Sequence, residues 1–160
     1  MTDWPEPVER VSAFLRAAAV DARIEEFSEG TPTAREAAKA VGCELGQIVK
    51  SVVLVCDGAY VLALVPGDRR ADETAVRAAV GAKEVRVAKA DEVVHATGFE
   101  PGGVAPFPQR DVSHTLIDSS FFAHGVVWIG AGTAQHMASL PPTELARLAA
   151  ARTVDLGASG

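Results

Sequence analysis

Cysteine is scarce: Cys43 and Cys56 are the only two in 160 residues. Their spacing fits neither a zinc site nor a redox pair, and two lone thiols suit a reducing cytoplasm better than a disulfide scaffold. Long apolar runs are missing too. None approaches the roughly 20 residues of a membrane span, so a membrane is not an expected partner. The opening Met1-Thr2-Asp3-Trp4-Pro5-Glu6 is acidic and lacks a charged-then-apolar leader, which argues against secretion. Positive charge is in deficit, with 15 Lys+Arg against 21 Asp+Glu and a net charge of −6. A field of that sign repels phosphate at long range, so any contact with nucleic acid must be local. His95, His114, His124 and His136 show no metal-ligand spacing. There is no Gly-x-Ser-x-Gly elbow and no Cys/His nucleophile pattern. Gly130-Ala131-Gly132-Thr133 superficially resembles a phosphate loop but lacks the full glycine spacing and a following Lys. Neither a metal nor a cofactor is therefore expected.

With 48% hydrophobic and 22% charged residues, the chain reads as one globular domain over residues 1–160. Helices are predicted over residues 5 to about 20, from Thr33 to Val41, from Glu73 to Val80, from Ala90 to Thr97 and from Pro142 to Ala150. Thr33-Ala34-Arg35-Glu36 is a capping box, Asp72 an N-cap, and Gly42, Gly81 and Gly98 are stop signals. Strands are predicted at Arg23–Phe27, Glu84–Val87, Ser113–Asp118, Val126–Ile129 and Met137–Leu140. Gly46 to Cys56 reads as a buried strand, and Asp57-Gly58 turns it into a returning strand from Ala59 to Val65. Interspersed helices and strands with one obligatory antiparallel hairpin give an α/β or α+β domain with a mixed, curled sheet.

Lys50 is the anomaly in that strand. Alternation puts it on the face of Ile48, Val52, Leu54 and Cys56, while Val49, Ser51, Val53 and Val55 take the other. Both faces are otherwise apolar. Either the lysine snorkels from a frayed strand end or guards a sheet edge, or it is held at the mouth of an apolar pocket, available to a ligand. Gly98 to Pro108 concentrates Gly98, Pro101, Gly102, Gly103, Pro106 and Pro108 in one segment. It is either a plain connector or a stiff loop with exposed amides, a common binding device. The inventory suits a pocket that positions a small substrate with backbone amides and one cation.

Thr33–Gly42 (TAREAAKAVG), Gly46–Ser51 (GQIVKS), Leu64–Arg70 (LVPGDRR), Gly98–Phe107 (GFEPGGVAPF) and Ile129–Thr133 (IGAGT) follow one another in a familiar order and spacing. Over roughly residues 24 to 150 the chain resembles the YbaK/ProX family of trans-editing aminoacyl-tRNA deacylases, related to the editing insertion of bacterial prolyl-tRNA synthetases. The resemblance implies a hydrolase acting on tRNA charged with a small wrong amino acid of the Cys, Ala, Ser or Thr type. It makes mischarged tRNA and a prolyl-type synthetase the expected partners, in a cytoplasmic monomer or homodimer. Lys50 would be the functional lysine, beside Ser51, contacting the terminal ribose, phosphate or ester. Gly102, Gly103, Val104, Pro106 and Phe107 would form the loop that cradles the aminoacyl end, and Gly130, Ala131, Gly132 and Thr133 would line the opposite wall. The chain departs from the cysteine-specific pattern at Pro106-Phe107 and at Gly130–Thr133. Ile48, Val52, Leu54, Val104 and Phe107 are the expected apolar walls. Arg69, Arg70, Arg77, Lys83, Arg86 and Lys89 form a candidate basic patch for tRNA, or an ordinary solvated surface. A non-catalytic module that grips a tRNA end or a synthetase is the alternative, and a Schiff-base lysine enzyme ranks last for want of a carbonyl site.

Overall fold

Asp57 and Gly58 both adopt left-handed backbone, at φ +50° and +84°, the pair of conformations that a two-residue turn matched to strand twist requires. They join two eight-residue strands in the computed structural model, which describes residues 4–31 and 33–159. Met1–Asp3, part of the opening segment read above as lacking a leader, lies outside the described residues. In chain order the elements are α1 (Glu6–Ala17), β1 (Arg23–Glu26), α2 (Ala34–Val41), β2 (Val49–Cys56), β3 (Ala59–Pro66), β4 (Arg69–Ala71), α3 (Glu73–Val80), β5 (Val85–Val87), α4 (Ala90–Thr97), β6 (His114–Asp118), β7 (Val127–Gly130), β8 (His136–Leu140), α5 (Pro142–Leu148), β9 (Arg152–Val154) and β10 (Gly157–Ser159).

The sheet is mixed, as the sequence predicts. Its largest part runs β5-β2-β3-β6-β9. The β2–β3 hairpin is antiparallel, from Cys56 opposite Ala59 to Val49 opposite Pro66, while β6 runs parallel to β3. A second sheet, β1-β8-β7, is antiparallel throughout and touches the first through one parallel bridge between Ile48 and Trp128. β4 and β10 form a separate two-stranded ribbon. Both faces of the main sheet are covered, which is why β2 and β3 read as near-continuous apolar runs. Val49, Val53, Leu62 and Leu64 pack with Phe99, Phe107 and Phe121 on one side. Leu54, Cys56, Val61 and Val65 pack against Val76 of α3 and Leu156 on the other. Each such fully buried aliphatic side chain contributes about 1.5–3 kcal/mol.

Three differences from the sequence reading have local causes. Gly46–Ile48 does not begin the strand: Leu45–Gln47 is a 3-10 turn. The Gln47 carboxamide accepts from Glu44 N at 3.0 Å and donates to the Val126 carbonyl at 3.1 Å, so the segment is held by side-chain bonds instead of a ladder. α1 and α5 stop short of residues 20 and 150 because Ala19 (φ +56°) and Ala150 (φ +50°) occupy the left-handed position that follows the C-cap. Val20 N reaches Leu15 O and Ala151 N reaches Ala146 O, closing Schellman turns that normally announce themselves with glycine. β4, β9 and β10 have three residues each and no apolar alternation. Long-range partners hold them, as when Asp72 N donates to Leu156 O at 2.7 Å.

Candidate functional site

Where β2 begins, the two sheets separate and leave a cleft of about 320 Å³. Its floor is the chain from Ile48 to Val52. One wall is the start of α2 with the segment before it, contributing Thr31, Thr33, Ala34 and Ala37. The opposite wall comes from Gly102 and Val104, from Gly130 and Thr133, and from His136 and Met137 of β8. α2 stands at this position because Thr33 caps it, its hydroxyl accepting from Glu36 N at 3.1 Å, and because Ala37, Ala38, Ile48 and Met137 form a small core of their own.

Of the residues named from the sequence, Lys50, Ser51, Gly102, Val104, Gly130 and Thr133 line this cleft. The other five lie behind it. Phe107 is a core residue, stacked on Phe14 with ring centroids 4.9 Å apart, and Pro106 is buried beside it with its carbonyl accepting from Gln109. Ala131 is buried and its amide donates to His136 O at 3.0 Å. The amide of Gly103 donates to Glu100 O at 3.0 Å. Neither amide is therefore spare for a substrate. Gly103 and Gly132 serve close approach instead. A Cβ on Gly103 would lie 2.7 Å from Thr133 Cα, and one on Gly132 would lie 2.7 Å from the Pro7 backbone. The glycines thus let two loops and α1 touch. Among the expected walls, Ile48, Val52 and Val104 are in place, whereas Leu54 is fully buried further along β2.

Lys50 emerges half-buried on the face shared with Val52 and Leu54, and its ammonium donates to the Arg69 carbonyl of β4. Burial pushes its pKa down, with the nearby Asp68 carboxylate opposing the shift. It also lines a second groove, with Val52, Arg70, Glu73 and Val87, so it stands where two depressions meet. Ser51 points to the other face. Its hydroxyl is buried and has no hydrogen-bond partner among the described residues. An unsatisfied buried hydroxyl costs about 1–3 kcal/mol, which a ligand or water at the site would relieve.

His136 was not among the residues expected here. It is 2% exposed and lines the cleft, with Nδ1 2.5 Å from Thr133 Oγ1 and Nε2 3.3 Å from Glu26 Oε2. The Glu26 approach lacks hydrogen-bond angles, so Nε2 has no bonded partner among the described residues. Trp4 packs edge-on against the ring at 5.4 Å. The one sequence signal was the Thr133-x-x-His136 spacing within a turn, where His136 N also donates to Thr133 O at 3.2 Å. No group of three or more His, Cys, Asp or Glu side chains converges as a metal site among the described residues. No described helix is long and apolar enough to cross a membrane.

The candidate basic patch divides. Arg86 makes a bidentate pair with Glu92, 2.8 Å on each side, and Glu92 also accepts from Lys89 N at 2.8 Å. These bonds hold the Glu92 carboxyl at a pKa of about 2. Arg69 and Arg70, beside Lys50, have no ion pair among the described residues and are exposed.

A mixed α/β scaffold with a small cleft that gathers one lysine, two unpartnered polar side-chain atoms and several apolar side chains has the composition of a ligand-binding site. Residues 28–148 match the aminoacyl-tRNA editing domain family, and the chain belongs to it. The Bacillus subtilis (strain 168) protein YwhH, itself uncharacterised, is 31% identical over 123 residues, 76% of this chain and 78% of that protein. The proline–tRNA ligase of Shouchella clausii (strain KSM-K16) is 33% identical over 115 residues, 69% of this chain but only 20% of the ligase. A crystal structure of a candidate trans-editing enzyme for prolyl-tRNA synthetase superposes with a TM-score of 0.91 at 34% identity, covering 98% of this chain and 99% of the other.

Proposed function

We propose that this chain hydrolyses the ester linking a small wrong amino acid, of the alanine, serine, threonine or cysteine type, to tRNA, acting in trans beside a prolyl-type synthetase. The observation that carries the reading is the composition of the cleft: Lys50, Ser51 and His136 converge on about 320 Å³ with Ala37, Ile48, Val52, Val104 and Met137 among its apolar walls and Thr31, Thr33 and Thr133 at its sides. A synthetase separates substrates that differ by one methylene only about 10–200-fold, so a second site that admits the smaller product is useful. Here size does the sorting, and the polar groups hold the ester end.

Deacylation should therefore fall as the amino acid grows. Alanyl, seryl, cysteinyl, prolyl and phenylalanyl esters of tRNA, each corrected for spontaneous hydrolysis, give the order. Faster loss of the phenylalanyl than of the alanyl ester would sink the small-pocket reading. Binding of every charged tRNA without turnover would favour the non-catalytic module.

The RNA should reach the cleft past the unpaired Arg69 and Arg70, not past Arg86, whose charge is already spent on Glu92. Reversing both charges, Arg69→Glu with Arg70→Glu, should weaken tRNA binding and flatten its salt dependence. The log–log slope should drop by about 0.7–0.9 for each phosphate that the variant no longer neutralises. Unchanged affinity and slope in a salt titration would put the RNA on another surface.

A further inference from the structure

The floor of the cleft is made by five consecutive residues, Ile48 to Val52. Alternate side chains of a strand point to opposite faces, so one cleft can contact a continuous run only if it meets the strand's edge. The pairing supports this. β5 covers β2 only from Leu54 to Cys56, and at the other end the bridge from Ile48 reaches Trp128. Between them, from Lys50 to Val52, no strand pairs with the outer edge of β2 among the described residues.

The direction of the main-chain groups there follows from neighbouring bonds. Val53 O accepts from Ala88 N at 3.0 Å, and Asp57 N donates to Glu84 O at 3.1 Å. Odd-numbered residues of β2 thus turn their N–H and C=O outward, away from β3, and Ser51 does the same. Among the described residues no strand pairs with Ser51 on that side, and its buried hydroxyl is unpartnered as well. A donor and an acceptor side by side on an open stretch of strand edge are a template for a docking main chain.

We infer that the aminoacyl group of the substrate pairs with Ser51 as a one-residue strand: its α-ammonium donates to Ser51 O, and its carbonyl oxygen accepts from Ser51 N–H. This rests on the editing reading above and adds what the site recognises. An amino-acid ester is itself a residue carrying one N and one C=O on the same side, so it reproduces the doubly bonded pair of an antiparallel ladder. Its side chain then stands on the Ser51 face of the strand, towards Val49 and Val104, where length is limiting. The same N–H faces the oxygen that gains charge when water adds to the carbonyl carbon. Collapse of that adduct breaks the bond to the ribose oxygen, which leaves as a hydroxyl carrying a proton from the water.

The test uses two non-hydrolysable amides of aminodeoxyadenosine, one alanyl and one propionyl, identical except for the amino group. The alanyl compound should bind at least about tenfold tighter, the worth of one charge-assisted hydrogen bond. In that complex the Ser51 amide should become protected from hydrogen exchange. Ser51→Pro removes the N–H from an outward-facing position, where no ladder bond is lost, and should weaken binding of both amides. If the variant fails to fold, the exchange measurement on the native chain still decides. Equal affinities, or a Ser51 amide that exchanges freely in the complex, would overturn the pairing. Turnover of alanyl-tRNA, measured on the same preparation, separates the two ideas: turnover with equal affinities sinks only the edge pairing, and amine-dependent binding without turnover sinks only the hydrolase.

Discussion

Replacing Lys50 by Ala should lower deacylation of the best substrate by about 100–1000-fold, the loss typical of removing one preorganised donor to a developing charge, while the domain stays folded. The reasoning starts from burial. Lys50 is the cation of an otherwise apolar strand start, and burial depresses its pKa. A lysine whose pKa is lower folded than unfolded favours its neutral form in the fold. Below the folded pKa the protonated side chain therefore weakens stability in full, and the penalty fades as pH rises through the interval up to the unfolded value. Lys50→Met keeps the stem and removes the charge. At neutral pH it should melt no lower than the parent, with any gain shrinking under alkaline conditions. Thermal melting and deacylation rates on both variants give the check. Activity lost with melting temperature held identifies a group that acts on substrate. Full activity in Lys50→Ala would remove the lysine from the chemistry, and unfolding would make it structural, its bond to the Arg69 carbonyl anchoring β4.

The parts of the fold that could be read from sequence are those written in local chemistry. Thr33 and Asp72 cap their helices through bonds to residues two or three ahead, and Gly42, Gly81 and Gly98 end helices at positive φ. Each signal is complete within a few residues, so α2, α3, α4 and the hairpin fell where expected. The ends of α1 and α5 were illegible because alanine stands where glycine would have marked the turn. The site divides in the same way. Lys50 is visible because a charge interrupts an apolar strand, whereas Ser51 is reached only through the family resemblance of Gly46–Ser51. Spacing along a strand cannot say how deep a cleft reaches, and Leu54, an expected wall, lies in the second core. Phe107 follows Pro106 in a glycine-rich loop and looks exposed, yet its partner Phe14 is on a helix far away in sequence. His136 gave no periodic signal, since its place is fixed by Thr133, Glu26 and Trp4. Arg86 is neutralised by Glu92, six residues on and 2.8 Å away, a pairing that charge counting along the sequence does not reveal.

Gly130→Ala should lower deacylation by about a hundredfold without removing a polar side chain from the cleft. The glycine ends β7, opposite Met137, and a Cβ there would lie 2.6 Å from Val104 O. That contact is with backbone, so no side chain can swing aside to relieve it. Either β7 or the Gly102–Val104 segment must move by several tenths of an ångström, at a cost of about 1–3 kcal/mol for overpacking. Both segments are cleft wall, and Ala131, next along, donates to His136 O. A displacement near 1 Å in a group that positions substrate can cost about a hundredfold in rate. The comparison that isolates this effect is Gly81→Ala. Gly81 sits at φ +69° with nothing within 4 Å of a built Cβ, at the end of α3 and away from the cleft. It should lose about 1–2 kcal/mol to left-handed strain, lowering the melting temperature by about 2–8 °C, and retain its deacylation rate. Both variants should thus melt earlier, but only Gly130→Ala should lose activity out of proportion to stability. Equal residual activities, measured well below both melting temperatures, would mean that the contact between Gly130 and Val104 holds the fold together and does not shape the cleft.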